Sequence, residues 1–277
     1  MGQHVVLSQI TKDYIVTLAD SGKRLDGRPF DKYRNIRIKV GHIQKAEGSA
    51  EVWLGNTRVL AGVKVQPGTP YPDQPTSGTL STAAEMNPLA APDFEAGPPR
   101  PEGIELARVV DRGVRESGVI KFDQLGIKDA EGKISKVWMV FLDLHILDFD
   151  GNLFDACSLA ALGAVLSAKI PNLRYKIEGK SADEPLPLSE PPISTTTVKV
   201  GKALFSDPSL DEDICLDARL TVACDQDGNI RAMQKGGHGS LSVDEVKSII
   251  SLSRTNGAKI RQLLKQAVAT GEARSQE

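Results

Sequence analysis

The sequence predicts an α+β fold in which two halves each run strands first and helices afterwards. Alternating β-branched runs are joined at hairpin signals, Gly55-Asn56 early in the chain and Asp227-Gly228 late. Each strand series is followed by a helical stretch, the alanine-rich residues 153–169 and a closing helix that runs to about residue 268. Between the halves, residues 181–194 carry four prolines and mark a connection. The architecture is duplicated without a repeat at the level of residues.

Taken in order, residues 1–22 are expected to hold an N-terminal helix. Val6, Ile10, Tyr14, Ile15 and Leu18 recur at helical spacing over 4–22, and Gly22 follows as a stop. The first half, 23–180, opens with the turn Arg24-Leu25-Asp26-Gly27-Arg28-Pro29 and continues as a meander through IRIKVG, SAEVWLG and NTRVLAGVKV. Residues 67–103 are rich in Pro, Gly, Ser and Thr and read as an ordered loop region with a strand over Thr79–Met86. A helix over roughly 102–117 and a strand from Val137 to Leu147 follow. Asp150-Gly151 then turns the chain, and Asn152 with Asp155 three residues later resembles a capping box opening the helix at 153. The second half, 195–277, has strands at 195–205, 216–225 and 229–235, and a Ser242-x-x-Glu245 box then opens the C-terminal helix.

At 277 residues the chain is long enough to bury about three-quarters of its unfolded surface without a disulfide or metal staple. The three cysteines, Cys157, Cys215 and Cys224, have no CxxC spacing and read as buried apolar residues in a reducing, cytoplasmic setting. No stretch reaches the length of a membrane span. A formal net charge of −2 and 5% aromatic residues argue against a free-standing nucleic-acid binder, so any RNA contact must be local.

The common local motifs of catalysis are absent: no Walker loop, GxGxxG, HExxH or nucleophile elbow. Asp143, His145, Asp148 and Asp150 offer metal-ligating side chains, but their positions suit turn and strand-face residues better. The stretch PEGIELARVVDRGVRES is more informative. At helical spacing Arg108, Arg112 and Arg115 fall within about 60° of one another, opposite an apolar arc of Leu106, Val109, Val110, Gly113 and Val114. Spacing alone favours a solvated face, since Glu105, Asp111 and Glu116 stand where they can pair with these arginines. The rival reading is a rail for phosphates. The acidic run Ser209-Leu210-Asp211-Glu212-Asp213 reads as a polar loop between strands, with a carboxylate or Mg²⁺ site as its rival.

Several of these segments, in this order, resemble the RNase PH family from about residue 20 to residue 268. They are Arg24-Leu25-Asp26-Gly27-Arg28, Gly48-Ser49-Ala50, Glu105-Leu106-Ala107-Arg108-Val109-Val110-Asp111-Arg112, Asp150-Gly151-Asn152, and Gly236-Gly237 with the Gly-Ser-Leu-Ser that follows. Within that family the leading helix, Thr79–Met86 and the Pro-rich loop after it look most like the non-catalytic ring subunit of the archaeal exosome. The resemblance implies the RNase PH fold, a duplicated βαβα-type core. It also implies a chemistry, removal of 3′-terminal nucleotides from RNA with inorganic phosphate as the nucleophile. Such a reaction needs cationic donors around the phosphate and an acid near the leaving oxygen.

Catalytic members carry paired arginines where the first long helix begins, but here Pro101 and Glu102 stand on those columns. They also carry paired aspartates on the way into the second half; here Asp213 keeps the first and Arg219 replaces the second. The resemblance therefore implies a silent subunit with no cofactor and no metal. Its expected partners are a catalytic RNase PH-like subunit alternating with it in a hexameric ring, RNA-binding cap subunits and single-stranded RNA, with no membrane. In that setting Arg108, Arg112 and Arg115 become candidate RNA contacts, Arg112 and Arg115 ahead of Arg108. The alternative is an active phosphate-dependent 3′-to-5′ exoribonuclease or a tRNA 3′-processing nucleotidyltransferase of the same family. A remote third reading is a metal hydrolase using Asp211, Glu212 and Asp213.

Overall fold

A computed structural model describes residues 9–128 and 131–275 of the chain. Helix α1 (Gln9–Asp20) precedes a meander of β1 (Ile36–Val40), β2 (Gly48–Leu54) and β3 (Thr57–Gly68). The first half is completed by β4 (Thr79–Met86), α2 (Pro101–Arg115), β5 (Gly126–Lys128), β6 (Ile134–Asp148) and α3 (Leu153–Ser167). A short ribbon of β7 (Lys169–Ile170) and β8 (Glu184–Pro185) leads into β9 (Ile193–Val200), β10 (Ala203–Ser206), α4 (Leu210–Ile214) and β11 (Ala218–Cys224). Last come β12 (Ile230–Gly236), α5 (Val243–Thr270) and β13 (Glu272–Arg274). The part of the expected leading helix that includes Val6 lies outside the described residues. No described helix is long and apolar enough to cross a membrane.

The first sheet runs in the order β13-β1-β2-β3-β6-β4, with β4 parallel to β6 and β5 paired to β6 alone. Period-two alternation along β6 turns Trp138, Val140, Leu142, Leu144 and Ile146 into the core and leaves Asp143 and His145 on the other face. The Gly55-Asn56 turn forms as expected. Gly55 has φ +59° and Asn56 is not in the left-handed region, which is what a II′ hairpin needs. Helix α3 is buried on every side, as its Ala-rich composition predicts, and its small residues let strands approach closely. A Cβ at Gly48 on β2 would lie 2.2 Å from the Ala164 carbonyl oxygen of α3 and 2.7 Å from the Ala168 Cβ just past it. Gly48→Ala is therefore expected to cost about 1–3 kcal/mol in urea denaturation, while Gly62→Ala, with open space around the added methyl, serves as a neutral control.

Three sequence expectations change. The strand expected over 195–205 is two strands, β9 and β10, because Gly201 at φ +60° turns the chain and pairs Ala203 with Val200. The acidic run after Ser209 is the short helix α4 rather than a loop, because Ser209 and Glu212 form a reciprocal capping box. Asn152 is not a capping residue. It sits at φ 55° with no side-chain bond to the helix backbone, and its amide donates to the carboxylates of Asp155 (2.9 Å) and Asp207 (2.8 Å). The Pro-rich connection is docked: the Leu186 amide donates to Ala168 O at 3.1 Å, Lys121 N–H donates to Pro187 O at 2.9 Å, and Leu186 is buried. The expected capping box at Ser242 and Glu245 does form at the start of α5.

The chain ends cross between the halves. Ile15 and Ala19 of α1 pack with Val198, Val200, Phe205 and Cys215 of the second half. β13 instead pairs antiparallel with β1, adding an edge to the first sheet. All three cysteines are buried, as expected, and none of them forms a disulfide among the described residues.

A buried polar junction joins the halves. The Asp207 carboxylate accepts from Arg34 Nε (2.9 Å), Arg34 Nη2 (2.8 Å), Arg28 Nη1 (3.0 Å) and Asn152 Nδ2 (2.8 Å). Asp155 accepts from Tyr33 Oη (2.7 Å), Thr196 N–H (2.9 Å) and Thr196 Oγ1 (2.8 Å). Arg24 donates from Nε to Glu212 at 2.8 Å, both side chains being buried. Arg24 and Arg28 of the opening turn thus reach carboxylates in the second half.

Candidate functional site

Helix α2 starts at Pro101, whose fixed φ and missing N–H suit a first helical position. Its apolar arc, Leu106, Val109, Val110 and Val114, is buried, and Arg108, Arg112 and Arg115 all lie exposed on the opposite side. The three arginines are not equivalent. Arg115 donates to Asp111 Oδ2 at 2.9 Å and to the Leu80 carbonyl at 2.6 Å, and Asp111 also accepts from Thr82 Oγ1 at 2.9 Å. The bond to Asp111 holds the Arg115 guanidinium pKa above its ordinary value. Arg112 donates from Nη2 to the Gln234 Oε1 at 2.8 Å. Arg108 has no hydrogen bond or ion pair among the described residues, so structure makes it the cation most available to a ligand.

Of the acidic neighbours expected to neutralise this column, only Asp111 forms an ion pair with it among the described residues. Glu105 turns the other way, accepting from Arg219 Nη2 at 3.3 Å and from Gln234 Nε2 at 3.4 Å. The result is a continuous chain, Arg219–Glu105–Gln234–Arg112, linking α2 to the second sheet. Its Glu105, Gln234 and Arg112 line a cleft of about 410 Å³ together with Pro101, Ile104 and Arg108. A second groove of about 300 Å³ adjoins it, with Thr82, Asp111, Arg112, Arg115 and Glu116 at its walls.

The other sequence-predicted positions gather around the same place. Pro101 lines the cleft and Glu102 stands exposed in the first turn of α2. A helix N-terminus attracts anions through its free N–H groups, but here Pro101 removes one and the Glu102 carboxylate brings negative charge. The preceding Arg100 is paired with Glu95. Asp213 lies within α4 and is partly buried; burial raises its carboxyl pKa, although Arg219 and the Asn152 N–H pull the other way. Arg219 on β11 lies over the Phe154 ring, 3.9 Å from its centroid, with its Nε buried and without a hydrogen-bond partner.

No sequence motif points to Gln234, and helical spacing assigns Glu105 the wrong partners. Strand alternation along β12 hints at a shared face for Ala232, Gln234 and Gly236, but only the packing of β12 beside α2 brings Gln234 to Arg112. The other candidate clusters disperse. Glu212 is committed to Arg24, His145 Nδ1 faces Glu85 at 3.1 Å, and Asp150 accepts from Asn56. No group of three metal-ligating side chains converges among the described residues.

The model of the 3′ exoribonuclease family, domain 1, matches residues 32–171, and that of domain 2 matches residues 190–256. The chain is similar to exosome complex component Rrp42 of Methanocella arvoryzae, 49% identical over 259 residues that span 94% of this chain and 97% of that one. It is 46% identical to exosome complex component Rrp42 of Thermococcus onnurineus, over 97% of this chain and 99% of that one. Among solved structures, it superposes on a chain of the Archaeoglobus fulgidus exosome with RNA bound to the active site with a TM-score of 0.86, at 43% identity, covering 91% of this chain and 97% of that chain. Rice Rrp46, at 17% identity and a TM-score of 0.65, shares the fold.

Proposed function

We propose, from its membership of the RNase PH family of 3′ exoribonucleases, to which this chain belongs, that it is the non-catalytic ring subunit of an archaeal-type exosome. In this reading it alternates with a catalytic RNase PH-like subunit, carries RNA-binding cap subunits, and holds single-stranded RNA on α2 for 3′-to-5′ phosphorolysis by its neighbour. Relatives at 49% and 46% identity, both named exosome complex component Rrp42, support the ring assignment.

One observation carries the silent role. Phosphorolysis demands cations converging on an attacking phosphate and on the charge that develops in the transition state. By the family resemblance Pro101 and Glu102 stand in place of the paired arginines, and Arg219, paired with Glu105, stands in place of the second aspartate. The arginine column along the cleft and its adjoining groove supports RNA holding, because its guanidinium groups face solvent along a rigid helix and phosphodiesters are recognised by such donors.

The experiment is release of nucleoside diphosphates from labelled single-stranded RNA in phosphate buffer. The purified chain alone is expected to release none, and its mixture with the catalytic paralogue is expected to exceed the paralogue's own rate. Release by the chain alone would make it an active phosphate-dependent exoribonuclease or tRNA 3′-processing enzyme and overturn the reading.

A further inference from the structure

The cleft beside α2 mixes apolar walls with polar groups of two kinds. Pro101, Ile104, Arg108 and Arg112 recur at helical spacing along one side of α2, and Gln234 of β12 stands opposite them. Pro101, Ile104 and Val109 supply the apolar surface, and Ile104 is left 48% exposed. A volume of about 410 Å³ lies in the range of small-molecule sites, which combine such walls with a few placed polar groups. The first polar kind is cationic: Arg108 has no hydrogen bond or ion pair among the described residues, and Arg112 is held by Gln234. The second kind accepts hydrogen bonds. Glu105 uses only Oε1, on Arg219 and Gln234, and its Oε2 accepts no hydrogen bond among the described residues. Gln234 Oε1 accepts from Arg112 and keeps a second lone pair, while its amide nitrogen is spent on Glu105 and the Lys235 carbonyl.

Resting on the RNA-holding role proposed above, we infer that this cleft receives one base of the bound strand and takes bases with an exocyclic amino group in preference to uracil. The arginines explain why a base arrives here. Arg108 and Arg112 are four residues apart, a rise of about 6 Å, so the phosphates on either side of one nucleotide can rest on them while its base turns inward. A guanidinium plane is a stacking surface for an unpaired base, and Arg108 has no other partner to give up. Ile104 and Pro101 add apolar contact. The acceptors set the preference. Cytosine, adenine and guanine each carry an amino group that can donate to Glu105 Oε2 or Gln234 Oε1. Uracil places a carbonyl oxygen where cytosine has its amine, so an acceptor meets an acceptor and both stay unpaired.

The test is fluorescence anisotropy of labelled oligocytidylate and oligouridylate of equal length with the purified full chain, across a salt series. The two strands share backbone and ring size and differ at the base edge. Wild type is expected to bind oligocytidylate about tenfold more tightly. Glu105→Ala is expected to remove most of that preference. Ile104→Ser, at a half-exposed position, is expected to weaken oligocytidylate binding about fivefold with the salt slope unchanged, because it removes apolar contact and no phosphate contact. Equal affinity of wild type for the two strands would overturn the inference. So would an Ile104→Ser variant that binds RNA as wild type does but assembles poorly with the catalytic paralogue, since the cleft would then belong to a subunit contact. Equal binding of both strands that is still lost on replacing Arg112 and Arg115 with glutamate removes the base site and leaves the RNA-holding role standing, whereas no binding of either strand removes both.

Discussion

Replacing Arg112 and Arg115 together with glutamate is expected to leave the ring assembled and to weaken single-stranded RNA binding by about two orders of magnitude, roughly 3 kcal/mol. Each arginine projects from the solvent side of a helix whose other face is anchored by Leu106, Val109, Val110 and Val114, so reversal changes charge at the surface without disturbing the core. Each lost phosphate contact should also flatten the salt dependence, by about 0.7 in the logarithmic slope for a single strand. The two contributions differ in origin. Arg115 gives up its bonds to Asp111 and the Leu80 carbonyl, and the new carboxylate faces Asp111, whereas Arg112 gives up only Gln234. Arg108, with no partner to release, is expected to matter at least as much as Arg115 when reversed alone. Fluorescence anisotropy of labelled RNA across a salt series reads all three, and unchanged affinity of the double variant at moderate salt would remove α2 from the RNA path.

Asp207→Ala is expected to lower stability by about 3–5 kcal/mol, because it strands buried cations rather than removing a neutral pair. Arg34, Arg28 and the Asn152 amide all converge on this carboxylate, which is fully buried. The loss should reach the candidate site, since Arg219 and Gln234 belong to the sheet that this junction docks against the first half. Chemical denaturation measures the first effect, and RNA affinity below the unfolding transition measures the second.

The same junction predicts a pH optimum. Burial pushes Asp207 upward, but the hydrogen bonds and charge of Arg34 overrule it and hold the carboxyl below its ordinary value of 3.8. Its contribution is therefore present above that value and lost as pH falls below it. Asp155 moves in the opposite sense, pushed by burial to about 6 despite donors from Tyr33, Asn152 and Thr196. Its contribution is complete below the ordinary carboxylate value and lost as pH rises through about 6, a change of roughly 3 kcal/mol across that interval. Stability by urea denaturation is expected to peak on the acid side of neutrality. Asp155→Asn should flatten the fall above that peak while lowering stability throughout, because an amide cannot accept from all the donors the carboxylate holds.

Much of this molecule could be read from its sequence. The Gly55-Asn56 hairpin, the strand over Thr79–Met86, the Ser242-x-x-Glu245 start of the last helix and the common face of Arg108, Arg112 and Arg115 all follow from rules of local backbone and spacing. Such features depend on turn sterics and on the periods of helix and strand, which neighbouring residues set among themselves. The resemblance to the RNase PH family also lay in ordered short motifs, and the family models match the chain across both halves.

Only the tertiary structure decided which charges meet. Glu105 had Arg108 within reach along its own helix, but it pairs with Arg219 and Gln234, which lie 114 and 129 residues away in the chain. Helix α1 enters the second half's core while β13 closes the first half's sheet, a crossing that no local pattern records. A long charged side chain can reach many partners at similar cost. Its choice is made by the backbone that packing brings beside it, and that information is spread over the whole chain.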